Sequence, residues 1–199
     1  MAVSFDYPPG GTPFGEDEKE GLIPPHIATQ AQLNAWEQQN ILGAERWAFA
    51  RKRKNVLTIE FIRRLHKRMF GNTWKWAGTF RTTEKNIGID PRHIAVELKK
   101  LCDDVTAQLQ HQAYPLEELA ARFHHRLTQI HPFPNGNGRH ARLMTDLLLM
   151  ANGTKPFTWG SADLIASGDA RMRYIEALRA ADRRDYGPLL AFVRSGEKA

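Results

Sequence analysis

Residues 138–151 read GRHARLMTDLLLMA, and their second half is apolar almost all the way round. A helix of that kind needs neighbours on every side, so it belongs in the middle of a core. Its expected neighbours are amphipathic helices. One opens at Pro115, a favoured first-turn position, and repeats Leu116, Leu119, Ala120, Phe123, Leu127 and Ile130. Another follows Pro91–Arg92 to about His111, with Ile94, Leu98, Leu101, Val105 and Leu109 on one side. Thr29 and Gln32 form a capping box before Leu33, Trp36, Ala44, Trp47 and Ala48. Thr58 starts a helix that runs to Met69 and stops at Gly71, and two or three more fill 161–194 with a join at Tyr186–Gly187–Pro188. Between them Asn72–Asp90 is rich in aromatic and β-branched residues with a polar turn at Glu84–Asn86, which predicts a short hairpin over about 79–90. The expected fold is all-α with one short β-hairpin. Residues 1–25, dense in Pro and Gly, are expected to form an extended arm.

With 199 residues, 42% hydrophobic and 25% charged, the chain suits one globular domain plus an arm. Cys102 is the sole cysteine, which excludes an internal disulfide and a cysteine-only zinc site. There is no leader pattern and no apolar run of membrane-spanning length, so a cytoplasmic protein without a membrane partner is expected. The net charge of +6 lies mostly in Arg46, Arg51–Lys54, Arg63, Arg64, Lys67 and Arg68. That distribution permits a nucleic-acid partner, but no helix-turn-helix signature and no interleaved aromatic platforms accompany it, which argues against one.

The segment His131-Pro-Phe-Pro-Asn-Gly-Asn-Gly-Arg-His-Ala-Arg142 joins an amphipathic helix to the N-terminus of the apolar one. A buried helix start presents free N–H groups and the positive end of its dipole, a ready anion site. Gly136 and Gly138 allow a bulky anion to approach the amides, and Asn137 could orient the anion or cap the helix. Arg139 and Arg142 share a face in the first turn, where cations meet the unfavourable dipole end; a polyanion, most simply a nucleotide polyphosphate, would neutralise them. His131 stands at the mouth of that cradle with an ordinary pKa near 6.5, suited to removing a proton from a hydroxyl. His124 and His125 are expected to pack or cap. Their spacing to His131 does not suit a metal triad.

HPFPNGNGRHAR resembles the signature of the Fic family (filamentation induced by cyclic AMP), His-Pro-Phe-x-(Asp/Glu)-Gly-Asn-Gly-Arg-x-x-Arg, and differs at one specified position. The arm's GLIP and the LNAWEQQNI segment are similar to the small bacterial subgroup called mobile mystery protein B. The resemblance implies a Fic-like domain over 26–199, with motif loop and helix at 131–151, that transfers AMP from ATP to a Ser, Thr or Tyr hydroxyl of a target protein. By position, His131 would be the general base and Phe133 a buried anchor. Gly136, Asn137, Gly138, Arg139 and Arg142 would bind the nucleotide, with Mg²⁺ leaving on pyrophosphate. The hairpin, around Thr82, Thr83 and Ile87, would dock the target by strand addition.

The differing position is Asn135, where the family carries an acid that helps to hold Mg²⁺. An amide oxygen is a weaker hard-cation ligand, so weaker metal affinity, or a need for Mn²⁺, is expected. The family's regulatory glutamate motif has its nearest match in Thr12-Pro-Phe-Gly-Glu16-Asp17, but Asp17 breaks its last position and Gly15 weakens its helix, so inhibition by Glu16 is not expected. A separate antitoxin or regulator remains compatible with the resemblance. The alternatives are a nucleotide-binding regulator, or a toxin-like Fic protein with weak or different transfer; kinase-like phosphate transfer fits the Gly138–Arg139 ending less well.

Overall fold

The computed structural model describes residues 11–51, 53, 55–161, 164 and 168–196. The start of the arm, Lys52 and Lys54 of the basic run, and most of 162–167 lie outside them. Helix α1 is a single turn, Glu16–Lys19; α2 spans Gln30–Phe49 and α3 Ile59–Phe70. A 3₁₀ turn at Pro91–His93 leads into α4, Ile94–Gln110. Then come α5, Leu116–Ile130, α6, Asn137–Ala151, α7, Asp169–Asp182, and α8, Gly187–Arg194. No described helix is long and apolar enough to cross a membrane.

Helix α6 is the axis of the bundle, packed against α5, α3 and α2. Ala141, Met144 and Leu149 are fully buried on it, as its nearly unbroken apolar surface demands. The starts of the other helices follow local chemistry. Thr29 Oγ1 accepts from Gln32 N at 3.2 Å while Gln32 Oε1 accepts from Thr29 N at 3.1 Å, and Thr58 Oγ1 accepts from Phe61 N at 3.1 Å. Each cap satisfies amide donors that the first helical turn leaves without partners. Part of the basic excess also has a local account. The guanidinium carbons of Arg53, Arg64 and Arg68 lie 3.9, 5.2 and 4.9 Å from the Trp47 ring centre, cations gathered around one aromatic ring.

The hairpin expected over 79–90 is not formed. Among the described residues there is no strand, and Leu22 and Trp74 meet in an isolated bridge outside the segment. Arg81, 3% exposed, explains the difference. Its guanidinium donates to the carbonyls of Thr83 (2.8 Å) and Ile89 (2.5 Å), taking acceptors that a ladder would need, and Nε donates to the His131 carbonyl at 2.7 Å. The segment is therefore an irregular loop wrapped around one buried cation and fastened to the end of α5. Gly88 completes the wrap: its φ is +120°, and a Cβ there would stand 2.5 Å from Arg81 Nη2 and 2.9 Å from His131 Cβ.

Candidate active site

The turn from α5 to α6 is built by side chains that fix its backbone. His131 ends α5 in the left-handed region, φ +52°, a conformation disfavoured for a residue with a Cβ and held here by the Arg81 bond to its carbonyl. Phe133 is fully buried, its ring stacked on His66 with centroids 3.7 Å apart. Asn137 clamps that anchor, accepting from Phe133 N at 2.9 Å and donating to Phe133 O at 2.8 Å. Both ends of the Asn137 amide are thus spent on shaping the loop. Gly136 precedes α6 at φ +77°, and a Cβ on it would meet the Phe70 ring at 2.6 Å, so only glycine fits.

These residues open one cavity of about 420 Å³, of the size that holds a small-molecule ligand. His131, Asn135, Gly136, Asn137, Gly138, Arg139 and Arg142 all line it, as does Ile87 from the loop. Its far wall includes Arg171, Tyr174 and Asp182 from the last part of the chain. Thr82 and Thr83 do not line it; the Thr83 carbonyl goes to Arg81 and the Thr82 side chain is exposed.

Burial holds His131 well below an ordinary imidazole, at about 4, helped by the nearby charges of Arg81 and Lys85. At neutral pH it is therefore unprotonated and able to accept a proton. A hydrogen bond to the Thr128 backbone pulls the other way. Nε2 faces the Thr12 hydroxyl of the arm at 2.9 Å.

The two arginines differ. Arg139 Nη1 forms an ion pair with Glu37 Oε2 at 2.6 Å, and Glu37 is also held by Trp74 Nε1 at 2.7 Å. Arg142 forms no ion pair within 4 Å among the described residues; burial lowers its pKa, with Tyr174 and Asp146 opposing. The need for an anion thus rests more on Arg142 than on Arg139. Glu37 escaped the sequence reading although its signal was there: it falls on the buried stripe Leu33, Glu37, Ile41, Ala44, Ala48 of α2, an acid where an apolar residue belongs. Arg81 left no comparable signal. Glu16 faces away, exposed and paired with Lys19 at 2.6 Å. His124 is buried against Tyr174 OH at 2.8 Å, and His125 meets Asp182 at 2.8 Å.

Asn135 is a poor metal ligand as placed. Its Oδ1 accepts from Gly136 N at 2.7 Å and its Nδ2 donates to the Thr12 carbonyl at 2.9 Å. No group of three or more His, Cys, Asp or Glu among the described residues could hold a metal ion. These residues do not make a protein-only Mg²⁺ site; a hard cation here would depend on oxygens of a bound nucleotide.

Comparison with known proteins matches this geometry to one family. A model of the Fic/DOC family covers residues 56–149. The Caenorhabditis elegans protein adenylyltransferase fic-1 is 30% identical over 153 residues, 74% of this chain and 28% of its own, so the chain spans little more than a quarter of that relative. Among solved structures, the N-terminal Fic domain of a VirB-translocated effector from Bartonella quintana superimposes with a TM-score of 0.70 at 20% identity, covering 89% of this chain and 91% of that one. Another Bartonella quintana Fic-domain structure, solved with bound ADP, gives a TM-score of 0.66 at 22% identity over 85% and 86% of the two chains. Through residues 56–149, where α3 to α6 and the His131–Arg142 loop lie, this chain belongs to the Fic/DOC family.

Proposed function

We propose that the chain is a protein adenylyltransferase that moves AMP from ATP to a protein hydroxyl, with His131 as general base. The observation that carries this reading is His131 Nε2, already 2.9 Å from a hydroxyl oxygen, on the wall of the cavity that Gly136–Gly138 and Arg142 share. The relatives' name and the ADP-bound neighbour support the nucleotide and the class of transfer. Gly138 N–H and its neighbours at the start of α6 would receive phosphate oxygens, and Arg142 and Arg139 the outer ones. Catalysis then amounts to positioning and charge neutralisation, with one proton removed by His131. Mg²⁺ would enter with ATP and be held chiefly by its phosphates. A target segment would lie along the 79–90 loop beside Ile87, on a surface shaped by Arg81 rather than on a preformed strand.

The test uses ATP labelled at the α- or the γ-phosphate, incubated with the chain and a cell lysate. Label from the α-position alone, absent with His131→Ala, is expected. Label from the γ-position would establish kinase-like transfer, and nucleotide binding without any transfer would establish a regulator, the reading that the engaged amide of Asn135 favours.

A further inference from the structure

The described end of the arm brings a hydroxyl to the one point where the proposed reaction consumes one. Thr12 is 8% exposed, lines the cavity, and places Oγ1 2.9 Å from His131 Nε2. Its main chain is held on both sides. Asn86 Nδ2 donates to the Gly11 carbonyl at 3.1 Å, Asn135 Nδ2 to the Thr12 carbonyl at 2.9 Å, and Lys85 Nζ to the Pro13 carbonyl at 3.1 Å.

Three successive carbonyls are thus read by side chains of the 79–90 loop and of the motif loop. Backbone contacts of this kind fix a peptide in register without regard to its side chains, as in peptide recognition generally. The segment is anchored further on as well: Lys85 also pairs with Glu18 of α1 at 2.5 Å, Ile23 N donates to Thr73 O at 2.8 Å, and Lys75 N to Gly21 O at 2.9 Å. Gly11–Pro13 therefore sits as a bound peptide substrate would, with its hydroxyl on the base.

We infer that Thr12 is an acceptor of AMP within its own chain. The inference rests on the adenylyltransferase reading and names a substrate for it. Thr12 Oγ1 would attack the α-phosphorus of ATP as the bond from that phosphorus to the oxygen bridging to the β-phosphate breaks. The electron pair leaves on pyrophosphate, and the hydroxyl proton passes to His131 Nε2. The product is a phosphodiester of AMP on Thr12. Because donor and acceptor share one chain, the reaction is unimolecular in protein and needs no target to diffuse in.

The test is made on the full chain incubated with ATP and Mg²⁺, alone and with a lysate, followed by peptide mapping by mass spectrometry. One AMP per chain is expected on the peptide that contains Thr12, retained in Thr12→Ser and lost in Thr12→Val, which keeps the side chain's shape. The fraction modified at a given time should not change over a hundredfold dilution of the protein. Modification of lysate proteins with Thr12 left unmodified would overturn the inference while leaving the enzyme reading intact. An adduct only at other residues, or a Thr12 adduct whose rate falls in proportion to dilution, would overturn it too. No AMP on any protein, own or foreign, would refute the adenylyltransferase reading itself.

Discussion

Glu37 holds the arginine that an incoming triphosphate would need, so its removal should tighten ATP binding. The pair is 2.6 Å long, with side chains 17% and 4% exposed. Two unit charges about 4 Å apart attract by about 4 kcal/mol at an effective dielectric of 20. Desolvation takes back a good part, leaving roughly 2–3 kcal/mol for a well-made buried pair. A phosphate that replaces Glu37 on Arg139 must overcome that coupling. Glu37→Gln keeps an amide oxygen for Trp74 Nε1, now at 2.7 Å, and nearly the same volume, but removes the charge. ATP should then bind about 10- to 100-fold more tightly, while AMP, with no outer phosphate, should gain little. Without nucleotide the variant should melt roughly 4–10 °C lower, since Arg139 is left buried without its counter-charge. Calorimetric titration with ATP, ADP and AMP, paired with thermal melts, checks both halves. Unchanged ATP affinity, or an equal gain for AMP, would refute the idea that Glu37 competes with the outer phosphates.

Gly136→Ala should cost about 2–4 kcal/mol and abolish nucleotide binding, because a left-handed φ of +77° and a 2.6 Å approach to Phe70 leave a Cβ no room; urea denaturation and ATP titration measure the two effects. Arg81→Lys should destabilise by roughly 2–4 kcal/mol and lower AMP transfer, since one ammonium cannot replace a guanidinium shared among the carbonyls of Thr83, Ile89 and His131; a wild-type melt would show that the fork is dispensable. Asn135→Asp should raise AMP transfer at low Mg²⁺ by supplying a negative oxygen, and should also loosen the arm, because a carboxylate cannot donate to the Thr12 carbonyl; an unchanged metal dependence would sink the first half. Stability should fall as pH drops from about 6.5 towards 4. Burial depresses His66, His124 (to about 3), His131 (to about 4) and His140 (to about 4), so the unfolded chain takes up protons first, at up to about 1.4 kcal/mol per pH unit for each histidine. Asp146, raised to about 7 by burial, works in the opposite sense between about 3.8 and 7 and offsets one of the four. A flat urea midpoint across that window would count against all four assignments.

The helices were legible because their signals are local and redundant. Capping by Thr29 and Thr58, the breaks at Gly71 and Pro115, and the unbroken apolar surface of α6 each point to the same bundle without knowledge of distant residues. The 79–90 segment misled for the converse reason. Its β-branched composition favours strands, yet the conformation is decided by Arg81, whose main partner outside the loop, the His131 carbonyl, lies 50 positions away. A tertiary contact overrode a local preference. The motif glycines were legible as part of one site, and they line the cavity, but the partner of Arg139 was not, since its carboxylate comes from α2, 102 positions earlier.

That last contact changes what the two arginines argue. A cation at a helix start argues for an external anion only while no internal one is known. Arg139 has Glu37, His131 has the Thr12 hydroxyl, and Asn135 has both Gly136 N and the Thr12 carbonyl. Most polar groups of the loop are therefore satisfied before any nucleotide arrives, and each of those internal bonds must be exchanged for one to a phosphate or an acceptor. Unmet hydrogen bonds in a buried site are expensive, whereas exchanged ones are nearly neutral. The site can thus be stable when empty and still bind a highly charged ligand, provided that the exchange is complete. Arg142 is the exception among the loop's charges, with no ion pair within 4 Å among the described residues. Its internal hydrogen-bond partner is the Tyr174 side chain rather than a carboxylate, so an incoming phosphate displaces no ion pair there, and Arg142→Ala should weaken ATP binding more than Arg139→Ala does. Equal losses in a calorimetric titration would show that Glu37 yields Arg139 without cost.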